Sequence, residues 1–175
     1  MGRRMLCGLG ILFLLALAAL AACASESALK SILPKSGAVS SWDVYADTYQ
    51  YCANPDELYK LYDGGDQPWI KAGVLEAVQQ AYKKGDGILT LTVHRMKSWQ
   101  AAKALFQKKD GGIKQQPGYE KVTLKQAHSL CRANGVTIGY GWKKTYFLGY
   151  TLNTADASGA ATTKAFMKAV AGKIK

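Results

Sequence analysis

Apolar and polar positions alternate along three stretches of the chain, and this period of two is typical of half-buried strands. In 88–96 the alternation places Leu and Val on one face and Thr on the other. The stretches 136–142 and 146–152 alternate in the same way on either side of Lys143-Lys144, which predicts a β-hairpin. Two shorter stretches extend the predicted sheet: 42–52, as one strand or two, and 119–124.

Residues 73–84 fit either a helix or a strand, because good helix formers recur there at helical spacing. The turn Gly85-Asp86-Gly87 separates them from the strand at 88–96. Since such a turn is typical of hairpins, we predict that 73–84 is a strand that pairs with 88–96.

Asn54-Pro55, followed by two acidic residues, predicts a helix start with Asn54 as the N-cap. This short helix is predicted to end at the glycines after Asp63, and a loop through Pro68 and Trp69 follows. Ser98 is predicted to cap a longer helix that runs to about Lys109. Four of its residues are predicted to be buried: Trp99, Ala102, Leu105 and Phe106.

A polar, glycine-rich linker is predicted at 110–118, and a last helix at Asp156 or Ser158 onward. A hairpin followed by a helix therefore occurs twice. This order predicts an α+β domain in which an antiparallel sheet has its helices packed on one face.

The first 23 residues have a different pattern. Arg3 and Arg4 precede an unbroken apolar run, 6–22, which is typical of an export signal. The end of this segment, Leu20-Ala21-Ala22-Cys23, resembles the lipobox of bacterial lipoproteins, which implies cleavage before Cys23 and lipidation of Cys23. A retained signal anchor is the alternative, because the run is just long enough to span a bilayer.

We therefore predict a signal peptide at 1–22, a lipidated short tether at 23–35 and a single domain at 36–175. The predicted protein is a monomer whose membrane partner is bound through Cys23. Ala24 is not the aspartate that retains lipoproteins in the inner membrane of enteric bacteria, which favours the outer membrane, with the domain facing the periplasm.

The chain is basic, with 23 Lys and Arg against 12 Asp and Glu and a formal net charge of +11. After the signal, the only arginines are Arg95 and Arg132, and the lysines are scattered. A solvated surface explains this distribution, and attraction to an anionic envelope surface or polymer is the functional alternative. No nucleic-acid partner is predicted, because there is no basic stripe interleaved with stacking aromatics.

Cys52 and Cys131 are the cysteines that remain in the domain. Export permits a disulfide between them, and two separate buried thiols are the alternative.

A longer motif supports the export prediction. Leu33-Pro34 and Trp42 precede Leu58-Tyr59-Lys60-Leu61-Tyr62-Asp63-Gly64-Gly65-Asp66, and Gly73 follows. This pattern resembles that of a family of uncharacterised bacterial secreted proteins and lipoproteins. The stretch from His94 through Ser98 to Phe106 resembles the strand-and-helix motif of the same family. The resemblance implies export and a strand at 73–84, and it implies no activity.

The best candidate for a binding site is the loop within this motif. Its glycines permit close backbone approach, its acids can hold a cation or sugar hydroxyls, and its aromatics can stack on a sugar. Its residues are Tyr59, Tyr62, Asp63, Gly64, Gly65, Asp66 and Trp69. The alternative is that the glycines end the helix and the aromatics complete the core.

No catalytic residue, metal site or cofactor is predicted. His94 lies on the polar face of its strand and His128 in an irregular segment near Cys131, and neither has partners at metal-ligand spacing. The leading hypothesis is a binding or structural module anchored in the cell envelope. A periplasmic hydrolase or modifying enzyme is the alternative.

Overall fold

The computed structural model describes residues 24–124 and 127–175, so the predicted signal peptide, the lipobox and Cys23 lie outside the described residues. The strands are β1 (Asp43–Val44), β2 (Gln50–Cys52), β3 (Val74–Lys84), β4 (Gly87–Met96), β5 (Glu120–Thr123), β6 (Ala127–Ala133), β7 (Val136–Lys143) and β8 (Tyr146–Asn153). The helices are α1 (24–32), a 3-10 turn (Pro55–Glu57), α2 (Tyr59–Tyr62), α3 (Gln67–Ala72), α4 (Trp99–Ile113) and α5 (Gly159–Lys173).

One eight-stranded antiparallel sheet organises these elements. The strand order is β1-β3-β4-β8-β7-β6-β5, and β2 also pairs with β3. Val74 lies opposite Met96, and Tyr146 lies opposite both Arg95 and Lys143. We call this end of the sheet, where β3 and β8 begin and β4 and β7 end, the proximal end. The other end is the distal end.

The α+β class, the antiparallel sheet and the two hairpin-plus-helix units are confirmed. The prediction that the helices pack on one face is wrong. On the face that we call the closed face, α1 and α5 bury Leu148 and Tyr150 of β8. On the opposite face, the groove face, α4 packs with α2 and α3 against Phe147. Because consecutive residues of β8 are apolar, both faces need to be covered.

The predicted tether is part of the domain. Residues 24–32 form α1, whose Leu29 is fully buried in the core of the closed face together with Ile32 and Leu33. Ser25 Oγ donates to Glu76 at 2.6 Å, so contact with the sheet begins at the second described residue. Residues 24–32 of the predicted tether are therefore helical and packed against the sheet.

Several local predictions are confirmed. Residues 74–84 form β3 and pair with β4 in a hairpin. The Ser98 side chain accepts from the Ala101 amide and caps α4. The 42–52 stretch forms two short strands, and β5 lies within 119–124.

Other local predictions are wrong. Asn54 makes no side-chain cap, and the expected helix is a 3-10 turn followed by α2. The segment expected as a loop through Trp69 forms α3, with Pro68 in its first turn. Helix α4 runs beyond Lys109 into the expected linker, and Trp99 is 51% exposed rather than buried. His128 and Cys131 lie in β6, not in an irregular segment.

Cys52 and Cys131 are both buried free thiols, so the predicted disulfide is not formed. Cys52 lies in β2 and Cys131 in β6, with four strands between them. Five strand spacings of about 4.8 Å separate them by roughly 24 Å, far beyond the Cα separation of a disulfide.

Candidate functional site

Two residues of the predicted binding loop, Tyr62 and Trp69, form an aromatic cluster with the buried His94. The ring centroids of Tyr62 and Trp69 are 4.5 Å apart, and those of Trp69 and His94 are 4.7 Å apart. The rings of Tyr62 and His94 lie 6.0 Å apart and within 10° of parallel. Tyr62 and His94 therefore lie side by side against one face of the Trp69 indole, with the Tyr62 hydroxyl hydrogen-bonded to His94 Nε2.

This arrangement holds His94 as a neutral structural residue. His94 is 1% exposed, and burial, reinforced by the charge of Lys109, lowers its pKa to about 3. Burial raises the pKa of the Tyr62 hydroxyl, so this group stays protonated in its hydrogen bond with Nε2. A histidine held neutral and covered by two aromatic rings cannot exchange protons with a substrate near neutral pH.

Lys109 covers the outer face of the same stack. Its Nζ lies 4.4 Å from the Trp69 ring centroid and 6.0 Å from that of Tyr140. Because Tyr62 and His94 occupy one face of the indole, the ammonium group takes the other as a cation–π contact. Burial, and secondarily the charge of Lys108, lowers the pKa of Lys109.

A groove of about 800 Å³ lies beside this stack, between α3 and α4. Its walls are apolar or small: Pro68, Trp69, Ala72, Ala101, Ala104 and Leu105. Four lysines line it, and no Asp or Glu does: Lys71, Lys97, Lys108 and Lys109. Ser98 and two glutamines complete the lining. The groove begins at the proximal end, at Lys97, and follows α4 to Lys109, about 18 Å at the rise of an α-helix.

The glycine after α3 shapes the mouth of this groove. Gly73 has a φ of +89°, and a Cβ built there would lie 2.7 Å from Cδ of Lys97. The aliphatic stem of Lys97 therefore lies directly on the Gly73 backbone, and the Lys97 amide donates to the Gly73 carbonyl at 2.8 Å. Together these contacts hold Lys97 at the rim.

The acidic part of the predicted binding loop lies apart from the aromatic stack and from the groove. Asp63, Gly64 and Gly65 form an exposed turn with left-handed φ at Asp63 and Gly64, and Tyr59 is 55% exposed. Asp66 precedes α3 and does not line the groove. Across the described residues, no three His, Cys, Asp or Glu side chains come close enough to hold a metal ion.

Sequence reasoning missed the lysines and alanines of the groove. Ala101, Ala104 and Lys108 recur at helical spacing on one face of α4, and Lys97 precedes the helix; this spacing is the available signal. That face could not be recognised as a wall, because the opposite wall is α3, which was expected to be a loop.

No family model matches the chain, and no curated protein matches it. Within the described part of the chain, no helix is both long and apolar enough to cross a membrane. Among solved structures, the extracellular domain of PknH from Mycobacterium tuberculosis is similar at 16% sequence identity and a TM-score of 0.56. The similarity covers 85% of this chain and 95% of that domain. At this level of identity the comparison shows that the two domains share a fold.

Proposed function

We propose that the protein is a lipid-anchored module of the bacterial envelope that binds an anionic amphiphile, such as a fatty acid, in the groove between α3 and α4. The observation that carries this proposal is the combination of apolar walls with a rim of lysines and no acid. A long apolar chain matches the walls, and a carboxylate or phosphate matches the rim.

The size of the groove supports this ligand class. Its volume of about 800 Å³ lies within the range of small-molecule sites. Its course of about 18 Å along α4 suits a linear chain better than a compact ring system. Each methylene buried from water contributes about 0.8 kcal/mol, so an acyl chain supplies most of the affinity and the lysines supply the orientation.

The electrostatics support an anionic head group. Lys109 lies against Trp69 with its ammonium partly withdrawn from water, and Lys108 follows it in sequence. One bound anion reduces the repulsion between these two neighbouring positive charges. The acids of the chain lie outside the lining, so the rim has no internal counter-ion.

The N-terminal segment supports the proposed envelope location. A basic start, an apolar run and the lipobox ending at Cys23 favour export and lipidation, and Ala24 favours the outer membrane. The hydrolase alternative has less support, because His94 is neutral, covered and bonded to Tyr62. The proposed role is binding rather than catalysis.

The test is calorimetric titration of dodecanoate into the chain from Ala24, which contains every described element and needs no detergent. Ala104 is exposed in the groove, and we expect Ala104→Phe to fill it and weaken binding about tenfold or more. The matched control is Ala165→Phe, an exposed alanine of α5 on the closed face. Dodecanol should bind about fivefold or more weakly than dodecanoate, because it lacks the charge.

If Ala104→Phe and Ala165→Phe bind dodecanoate with equal affinity, the groove is not the binding site. Equal affinity for dodecanol and dodecanoate would contradict the role of the lysines.

A further inference from the structure

We propose that the proximal end of the sheet is a membrane-contacting surface that lies on an anionic phospholipid bilayer, so that the groove opens toward the lipid. This inference rests on the lipid anchor in the proposed function. It adds an orientation of the domain and a second, electrostatic contact with the membrane.

The first argument is the position of α1. Ser25 donates to Glu76 in β3, and Glu76 also accepts from Tyr51 and pairs with Arg95 of β4. Glu76 is 1% exposed. Burial alone raises the pKa of Glu76, but the hydrogen bonds from Ser25, Arg95 and Tyr51 outweigh it and keep the pKa below its usual value. The ionised carboxylate of Glu76 thus holds the start of α1 at the proximal end.

The contact between Ser25 and Glu76 limits how far the domain can turn away from its anchor. The proposed lipidated residue, Cys23, precedes Ser25 by two positions, and two residues span at most about 7 Å. A lipid on Cys23 therefore brings the proximal end to the membrane surface. A domain on a flexible tether would have no such preferred orientation.

The second argument is charge. Exposed lysines stand at the end of α3, after β4 and in the β7–β8 turn: Lys71, Lys97 and Lys144. Among the acids at this end, Glu26 and Glu76 are hydrogen-bonded to tyrosines, and Glu76 is neutralised by Arg95. After β2, Glu57 is paired with Lys60, and Asp56 is exposed. Lysines close to an anionic leaflet are attracted to it, so this end favours a negatively charged bilayer.

The third argument is the exposed apolar residues. Trp99, at the start of α4, is 51% exposed, and Leu75, at the start of β3, is 36% exposed. Tryptophan flanked by lysines is typical of a protein surface at the head-group level of a membrane. Trp99 therefore has an environment that accounts for its exposure.

The distal end differs in composition. Lys83 lies opposite Asp43 in the β1–β3 ladder, and Lys84 lies near Asp86 and Asp156 beside the β3–β4 turn. These two lysines have acids nearby that offset their charge in part. Lys83 and Lys84 are therefore matched controls for Lys97 and Lys144.

The experiment uses the full chain, produced in an exporting bacterial host and reconstituted into vesicles of equal phosphatidylglycerol and phosphatidylcholine with brominated acyl chains. Bromine quenches tryptophan at short range, so contact of Trp99 with lipid lowers the fluorescence. We expect quenching in the wild type, and we expect Trp99→Phe to lose more than half of it. The double variant Lys97→Glu/Lys144→Glu should lose the quenching, and Lys83→Glu/Lys84→Glu should keep it.

Flotation with the vesicles separates the two proposals. Protein that floats without quenching of Trp99, or with quenching unchanged by Lys97→Glu/Lys144→Glu, overturns the membrane-contacting surface and leaves the anchor. Protein that does not float overturns the anchor and this surface together. Salt at about 1 M should reduce the quenching but not the flotation, because it screens charges beyond about 3 Å and leaves the acyl chains inserted.

Discussion

The two faces of the sheet use small residues in opposite ways. On the closed face the small residues belong to the sheet: a Cβ at Gly139 of β7 would lie 2.5 Å from Met167 of α5, so the helix lies directly on the strand. On the groove face they belong to the helix, where Ala101 and Ala104 of α4 face α3. Small residues in a sheet allow a helix to close over it, whereas small residues on a helix without a close partner leave a groove.

This difference predicts that stability depends on the closed face and binding on the groove face. The strongest test is Phe166→Ala in α5. Phe166 is fully buried and lies between Trp42 and Tyr82, with ring centroids at 5.7 Å and 4.9 Å. Its truncation should lower the free energy of unfolding by about 3–5 kcal/mol, measured by urea denaturation.

The same variant should bind dodecanoate with unchanged affinity under conditions where it remains folded. A loss of less than about 1 kcal/mol, or a folded variant that no longer binds, would contradict the division between the faces.

A smaller effect is expected from the buried histidine of the groove face. The pKa of His94 is lowered to about 3 in the fold, against about 6.5 in an unfolded chain. The unfolded state therefore binds the proton first as the pH falls, so the stability associated with neutral His94 is complete above about pH 6.5 and decreases below it. Between pH 6.5 and 4.5 this loss should amount to about 2 kcal/mol.

His94→Gln keeps a hydrogen-bonding side chain beside Tyr62 but cannot take up the proton. Its stability should fall less steeply over the same pH range, as measured by denaturation at a series of pH values. Because the other titrating groups are common to both proteins, the difference between the two curves reports His94. Parallel curves would mean that His94 is not held neutral.

The smallest effect is expected at the outer face of the aromatic stack. Lys109→Met keeps an unbranched side chain over Trp69 and removes the charge, so it loses the cation–π contact at a cost of about 1 kcal/mol or less. The control is Lys108→Met, at an exposed position next to it, and it should leave the melting temperature unchanged. An equal shift in both variants would indicate a general charge effect instead.

The strands of the sheet could be predicted where apolar and polar residues alternate clearly along the sequence. In β4 and in the β7–β8 hairpin the alternation is clean, so both the strands and their turns were predicted. Strand β6 was missed because its buried residues, which include His128, Ser129 and Leu130, follow one another without alternating. Consecutive buried positions are typical of a strand covered on both sides, and they do not distinguish a strand from an irregular segment.

The site was only partly predictable for a related reason. Tyr62 and Trp69 are predicted from the sequence as candidate binding residues. Their partner His94 shares a strand face with two threonines, a pattern that predicts exposure to solvent. The burial of His94 depends on α3, which has Pro68 in its first turn and was expected to be a loop. Asp63 and Asp66 of the same motif are candidates only because carboxylates can hold a cation or sugar hydroxyls. Long-range packing, and not local chemistry, decides which of these residues come together.

The contact between the first and last helices has a consequence for how the protein is made. Lys173 of α5 donates to the carbonyl of Leu33, at the end of α1, at 2.5 Å across 140 positions of sequence. Phe166 and Leu29 belong to the same buried cluster. Helix α1 is synthesised first and α5 last, so this layer cannot close until almost the whole chain has emerged. Contacts of such high sequence separation slow folding, and the apolar side of α1 stays uncovered until then.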